Sequence, residues 1–319
     1  RNTLLAYNTG TGLSYGTPSS LTNNYNGFWG NATHQSPVAT GQGNRFLDPR
    51  FQNLPADDYR LQAGSPMIDR GAPNDPAPPG TGGRVDIGYA EYGGAAFYAA
   101  KGYSATGLND GLTWGVDAFD TVAGALAAAR ETLAGLNLPE VPNLREAEGI
   151  YSVGVGPGTW NERVSVPSYV RLVGSGAERT TIDAGVTGSA VTFDGVVQAE
   201  VSGLTLQNAG SDGAAVEVKN ASNRITVARN VIGNSASRAV RFAGRSSGEV
   251  VFNTIVGNSG AGVLADGTAT WLEAHNNILS GNAYGLRALS GGLIRSGYNL
   301  LNNTTDLDGV TAGEGTRYG

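Results

Sequence analysis

Ala190-Val191-Thr192-Phe193, Ala215-Val216-Glu217-Val218, Ala239-Val240-Arg241-Phe242, Gly262-Val263-Leu264-Ala265 and Gly285-Leu286-Arg287-Ala288 are five copies of one pattern: a small residue, then apolar, variable, apolar. The copies recur every 23 to 25 residues. That interval suits one coil of a parallel β-solenoid and is too short for a pair of helices. A second pattern keeps step with the first. Asn230-Val231-Ile232, Asn253-Thr254-Ile255 and Asn277-Ile278-Leu279 are each soon followed by Asn234, Asn258 or Asn282. Asn tolerates a left-handed backbone and can hydrogen-bond its neighbours along a stack, so these six residues are expected to form turn ladders. The fold class that follows is all-β, a right-handed parallel β-helix.

Alternation within the short strands separates inside from outside. Val191 and Phe193, Val216 and Val218, and Val240 and Phe242 should point inward, leaving Thr192, Glu217, Arg241, Leu264 and Arg287 as an outward column. Neighbours in such a column lie about 4.8 Å apart, close enough for Glu217 to pair with Arg241. As an exposed pair it would contribute under about 1 kcal/mol. A second outward column contains Thr205, Thr226, Glu249 and Glu273.

Composition narrows the functional classes. The chain has 319 residues, a net charge of −6 and positive charge that is almost all Arg, with no basic stripe for nucleic acid. It has no Cys, so disulfides, thiolate metal sites and a thiol nucleophile are excluded. No apolar run approaches the ~18 residues of a membrane span. The first residue is Arg1 and no signal peptide is visible, which fits a processed or excised piece of a protein.

Upstream of the coils, Phe119, Val122, Ala123, Leu126 and Leu133 fall at helical spacing within residues 117–136, with Asp117 or Asp120 as the expected N-cap. A helix there would plug the open end of the solenoid. The stretch from Phe97 to Gly185, with "DGLTWGVDAFDTVAGALAAA", "GPGTWNERV" and "YVRLVGSGAERTTIDAG", resembles the start of bacterial pectate-lyase-like β-helix proteins. "LDPRFQNLPADDYRLQAGSPMIDRGAP" and "VDIGYAEYG", Leu47 to Gly93, resemble the terminal segment of secreted β-helix proteins of the choice-of-anchor type. The resemblance implies a fold and an extracellular or cell-surface location, and does not specify an activity.

The terminal segment precedes the starting one. Tyr25-Asn26 matches Tyr298-Asn299, and Gly41 to Phe46 matches Gly313 to Tyr318, at an offset of about 272 residues. Residues 1–94 therefore read as the last coils and tail of one β-helix repeat, and residues 95–319 as the start, capping helix and coils of the next. Either the chain is a window on a longer tandem array, or its C-terminal end is completed by the N-terminal tail of a neighbour.

Chemistry is harder to find. Pectin-cleaving lyases and hydrolases of this fold need carboxylates on adjacent coils, with Ca²⁺ and Arg in some and an acid–base pair in others. Glu249 and Glu273, with His275 on the same face, form the best candidate constellation, although two such carboxylates are also ordinary solvated surface. Trp160 and Trp271 could stack on sugar rings or pack at coil corners. Glu162 and His34 suit structural or surface roles. Asn31, Asn220 and Asn303 begin Asn-x-Ser/Thr triplets compatible with glycans. No metal or cofactor motif is visible.

The reading is a structural extracellular module, leaning away from an enzyme, that joins copies of itself head to tail into a fibre or array. The residues expected at the junction are Asn2, Leu4, Leu5, Asn8 and Leu13 on one side, and Leu286, Leu300, Val310 and Tyr318 on the other. The alternatives are a polysaccharide lyase or hydrolase, and a non-catalytic adhesin that meets acidic glycans through Arg241 and Arg287.

Overall fold

A computed structural model describes residues 1–16, 22–56, 58–61, 65–68, 70–75, 85–88, 97–107, 109, 112–134 and 151–319. The chain divides into two units, Arg1–Ala95 and Ala96–Gly319. The larger unit is a parallel β-solenoid with three faces: sheets of eight, seven and nine strands, each coil giving successive strands to different sheets. In the seven-stranded sheet Thr192, Glu217, Arg241, Leu264, Arg287 and Asp308 lie in direct register. Their flanking residues Val191, Phe193, Val216, Val218, Val240 and Phe242 are fully buried, because the two-residue period of a strand sends them all to one side. They join one continuous core running from Phe97 to Leu301.

The helix begins at Val122 and is described to Ala134, and Phe119, expected on its apolar face, lies instead in the strand Ala118–Phe119. Val122, Ala125, Leu126, Ala129 and Leu133 are buried and belong to the solenoid core. Neither Asp117 nor Asp120 caps it. Asp117 accepts the Thr113 N–H, and Thr121 Oγ1 accepts the Gly124 N–H at 3.2 Å. The remaining donors of the first turn are held from far along the chain. The Val122 and Ala123 N–H groups donate to the two carboxylate oxygens of Glu162, at 3.1 and 2.9 Å. A carboxylate there satisfies otherwise unpaired amides and meets the positive end of the helix dipole.

Two ladders of Asn side chains run along the solenoid. In the first, the backbone N–H and Nδ2 of Asn230 both donate to Asn253 Oδ1; Asn253 does the same to Asn277, and Asn277 to Asn299, all at 2.9 to 3.2 Å. Each Nδ2 also reaches a carbonyl one coil back, as Asn277 does to Val250 at 2.8 Å. The second ladder passes from Asn258 to Asn282 and Asn303 in the same way. Asn234 is not a rung of it: it is exposed at φ 56°, and Ser235 donates its N–H to Asn258 Oδ1 in the rung position. The left-handed residues of the first turn are likewise those just before each rung, Arg229, Phe252, Asn276 and Tyr298, at φ 54° to 58°. The rung Asn is selected for its buried amide rather than for its backbone.

Two strand pairs of the smaller unit resemble those at the end of the larger one. Leu4–Ala6 pairs with Gly27–Trp29 in parallel, and Thr11–Ser14 with Thr33–Ser36. Several of its hydrogen bonds correspond to those of residues 277–318. Thr3 N–H to Asn26 Oδ1 matches Asn277 to Asn299. Asn8 to Asn31 matches Asn282 to Asn303 through both backbone and side-chain nitrogens. Tyr7 to Trp29 matches Gly281 to Asn302, and Tyr25 to Gln42 matches Tyr298 to Glu314. Gly43 and Gly315 share a positive φ, 72° and 67°, over the rings of Tyr25 and Tyr298. Those strand pairs are thus a second example of the coil pair at the far end of the chain.

Candidate functional site

The outer face of the nine-stranded sheet carries the strongest cluster of reactive groups. Arg171, Glu200, Thr226, Glu249, Glu273 and Arg295 stand in one register column. Arg171 pairs with Glu200 at 3.1 Å, and the Thr226 hydroxyl donates to Glu249 at 2.9 Å. Glu273 lies 3.8 Å from His275 Nε2 and 4.0 Å from Arg295. Two residues toward the start of the same strand, Trp271 is 45% exposed and in register with Leu293, 51% exposed. Strand alternation places Trp271, Glu273 and His275 on one face. The result is an open surface with an indole platform, the adjacent carboxylates of Glu249 and Glu273, one imidazole and the guanidinium of Arg295. It can contact a sugar ring and its carboxyl group. Among the described residues no group of three or more His, Asp or Glu is arranged to hold a metal ion.

The Arg241 column is already neutralised from within. Glu217 is only 8% exposed, so the pair it forms with Arg241 at 2.9 Å is not a surface pair; burial was invisible because it depends on neighbouring side chains. Arg241 reaches past its register neighbour Leu264, itself buried, to Asp266 at 2.8 Å. Burial pushes the Glu217 carboxyl above its usual range, and the charges of Arg241, Arg238 and Lys219 only partly oppose this. Burial also works against the charge of Arg241, but Asp266 and Glu217 outweigh it and raise its pKa. Arg287 pairs with Asp308 at 2.7 Å and lies 3.9 Å over the Tyr284 ring. Both guanidinium groups therefore have acidic partners within the protein, which leaves little for an acidic glycan.

The other sequence candidates take structural places. Trp160 is fully buried, donates Nε1–H to the Gly156 carbonyl at 3.1 Å and has the Lys101 ammonium 4.1 Å from its ring. His34 sits beside the stacked rings of Phe28 and Phe46. The amide nitrogens of Asn31 and Asn303 are spent on the carbonyls of Leu5 and Leu279, so a glycan there would break the ladder. Asn220 is exposed and donates to Asp194. Partial burial opposes ionisation of Asp183, but Gln207, the Gly185 N–H and Asn208 all donate to it and hold its carboxyl below the usual range. Sequence reasoning missed Arg295 and Leu293 beside Glu273, although both lie 22 residues beyond Glu273 and Trp271, one coil on, and the coil period pointed to them.

The expected junction residues also separate. Leu286 is fully buried in the core, in register with Leu307 of the next coil, and does not reach the open end. Asn2 donates to Asp75 and accepts the Ala72 N–H, and Leu4 packs against Met67, Ile87 and Leu61 of its own unit. Leu5 and Leu13 are half-buried, Asn8 is exposed in its ladder, and Val310 packs against the core. Leu300 and Tyr318 are 41% and 56% exposed.

No protein-family model and no curated protein matches the chain. Similar solved structures include ORF18 of Geobacillus virus E2, over 55% of this chain and 38% of that one, at 16% identity and a TM-score of 0.40. They also include pectin methylesterase PemA from Erwinia chrysanthemi, over 65% of this chain and 70% of that one, at 12% identity and a TM-score of 0.34. The chain spans well under two thirds of the viral protein. The assignment as a parallel β-solenoid rests on strand register. Among the described residues no helix is long and apolar enough to cross a membrane.

Proposed function

We propose that the chain is a structural β-solenoid module, working outside the cell or at its surface, that joins copies of itself end to end. The observation that carries this reading is the set of ladder and turn hydrogen bonds that the described residues of 3–45 share with residues 277–317. A strand that already has the geometry of the far end can continue from it. Among the described residues Leu293–Gly297, Thr305–Asp308 and Arg317–Tyr318 are the last strands of their sheets, while Leu4–Ala6 and Thr11–Ser14 stand first in theirs. Among the described residues each has a sheet neighbour on one side only, and such strand edges favour a head-to-tail contact that does not close into a ring. The resemblance of Leu47 to Gly93 to a choice-of-anchor terminal segment supports the extracellular location.

Electron microscopy with sedimentation of the full chain tests it. Concentration-dependent linear oligomers are expected, and Tyr318→Pro, which blunts the open edge, should disperse them. A wild-type chain that stays monomeric at every concentration would sink the proposal.

Trp271 supports a second reading, contact with acidic polysaccharide on the nine-stranded sheet. Titration with polygalacturonate should then show saturable binding that Trp271→Ala weakens about tenfold, the scale of one lost ring-stacking contact. Equal affinities for the two proteins would reject this surface, and turnover surviving Glu273→Ala would remove Glu273 from any catalytic role.

A further inference from the structure

Within the small unit, an aromatic cleft of about 720 Å³ lies beside the strand Leu4–Ala6, walled chiefly by Leu4, Ala6, Tyr7, Phe51, Leu54 and Tyr59. From the coils its wall takes only residues of the segment Asn2 to Tyr7, and none of the following coil that contains Gly27–Trp29. The cleft therefore lies on the side of Leu4–Ala6 away from its strand partner. Its far wall is the antiparallel pair Phe51–Asn53 and Asp58–Leu61, with the short helical turn Leu54–Ala56 between them. Tyr7 and Tyr59 are 46% and 45% exposed, and the Phe51 ring contacts both, at centroid distances of 6.3 and 5.6 Å. Among the described residues no charged side chain lines it.

Aromatic ring faces attract cations, and the weakly hydrated guanidinium of Arg suits them best. Arg287 over the Tyr284 ring at 3.9 Å is an example within this protein. Arg317 is exposed and, unlike Arg241 and Arg287, has no acidic partner among the described residues. It stands in the last strand of the eight-stranded sheet, in register with Leu300 and so in the outward column of Thr254, Ile278 and Leu300. Leu4 and Gly27 hold the same column in the small unit, because the Thr3–Asn26 bond matches Asn277–Asn299. The Arg317 and Gly319 N–H groups donate to the Asn299 and Leu301 carbonyls, so strand alternation turns the Tyr318 N–H to the free edge. A copy added at that edge sets Leu4 about 4.8 Å from Arg317, one strand spacing away, with its cleft on the Arg317 side.

We infer that the cleft walled by Tyr7, Phe51 and Tyr59 is a socket for the Arg317 guanidinium of a second copy of this chain. The inference rests on the end-to-end reading and gives the junction its specific contact. Both partners are accessible: the strand carrying Arg317 has a neighbour on one side only, and the two tyrosine rings are about half exposed. The contact also fixes the register of the junction. A slip of one residue turns Arg317 to the other face of its strand and leaves the socket empty.

The test uses full-length chains that can each join at one end only. Tyr59→Arg places a cation in the socket, so this chain can offer Arg317 but not receive it. Tyr318→Pro removes the N–H at the free edge, so this chain can receive but not offer. In sedimentation each alone should stay monomeric at concentrations where the wild type forms linear oligomers, and the two mixed should form a one-to-one dimer. That dimer also shows that Tyr59→Arg is folded. Adding Arg317→Met to the Tyr59→Arg chain should raise the Kd of the mixed dimer about tenfold, the scale of one desolvated cation–aromatic contact, and Arg317→Lys should raise it less. In the otherwise wild-type chain Arg317→Met changes an exposed residue and should raise the assembly concentration by a similar factor. Wild-type oligomers with no mixed dimer, Tyr59→Arg chains that assemble as the wild type does, or assembly unchanged by Arg317→Met would overturn the socket and leave stacking in place. A wild-type chain that stays monomeric would remove stacking and the socket with it.

Discussion

Replacing Asn277 by Ala is expected to lower the stability of the solenoid by about 4 kcal/mol, as would replacing Asn253, which makes the same set of bonds in the turn ladder. The Asn277 amide group takes part in five hydrogen bonds. Nδ2 donates to the carbonyls of Val250 and His275 and to Asn299 Oδ1, at 2.8, 3.0 and 3.1 Å. Oδ1 accepts from the backbone N–H and Nδ2 of Asn253 at 2.9 and 3.1 Å. Asn277 is 1% exposed and Asn253 2%, so no water replaces the lost partners. Each buried donor or acceptor left unpaired costs roughly 1–3 kcal/mol, and truncation takes a partner from the Asn253 N–H, the Asn253 amide, the Val250 carbonyl and Asn299 Oδ1. The exposed neighbour Asn276 provides the contrast. It holds φ 58° and is not a rung, so Asn276→Ala should cost only about 1 kcal/mol, the penalty of a left-handed backbone. Because coils in a solenoid couple to their nearest neighbours, the loss should appear first as faster amide exchange at Asn253 and through the coils on either side. Urea denaturation and hydrogen exchange together check this. Equal effects of the two substitutions would show that the ladder is not what holds the turns.

Much of this arrangement was legible in the sequence because it is periodic. The apolar residues on either side of Thr192, Glu217 and Arg241 are all fully buried, and the register column is the one that alternation and coil length dictate. Periodicity says which way a side chain points. It does not say what lies over it. Glu217 and Leu264 point outward and are still buried, and Gly27 points outward beneath Met67. Leu286 suited an exposed end only because its coil lies near the end of the sequence, although its position in the repeat is an inward one. The Glu162 cap is a contact between residues 39 and 40 apart, and no local pattern encodes it. In the candidate site the carboxylates were visible from coil spacing. Trp271 was visible as a residue type but not as an exposed one, because exposure of an indole depends on whether a neighbouring segment covers it.

Burial of Glu217 also gives the solenoid a pH signature that one substitution should expose. Arg241→Met keeps most of the aliphatic stem but removes the charge within 2.9 Å of the Glu217 carboxylate, and is expected to cost about 3 kcal/mol at neutral pH. The cost arises because a carboxylate that is 8% exposed loses the strongest of the interactions opposing its desolvation. Its folded pKa, already raised, must rise further. A carboxyl raised on folding binds its proton more tightly in the native state than in the unfolded one. Its contribution is therefore most favourable below the unfolded value of 4.5 and is lost as pH rises through the folded pKa. The difference between wild type and Arg241→Met should accordingly be small below pH 4.5 and grow as pH rises toward neutrality. Asp266 loses the same partner, but its side chain is 28% exposed against 11% for Glu217, so water offsets more of that loss. Adding Glu217→Gln removes the buried charge itself. The double variant should recover most of the stability at pH 7, since replacing both members of a buried pair with neutral groups is commonly close to neutral. Thermal unfolding of the four proteins of this cycle at pH 4 and pH 7 decides the matter. A cost independent of pH, or a double variant no more stable than Arg241→Met, would mean that Arg241 acts through packing and not by holding the charge on Glu217.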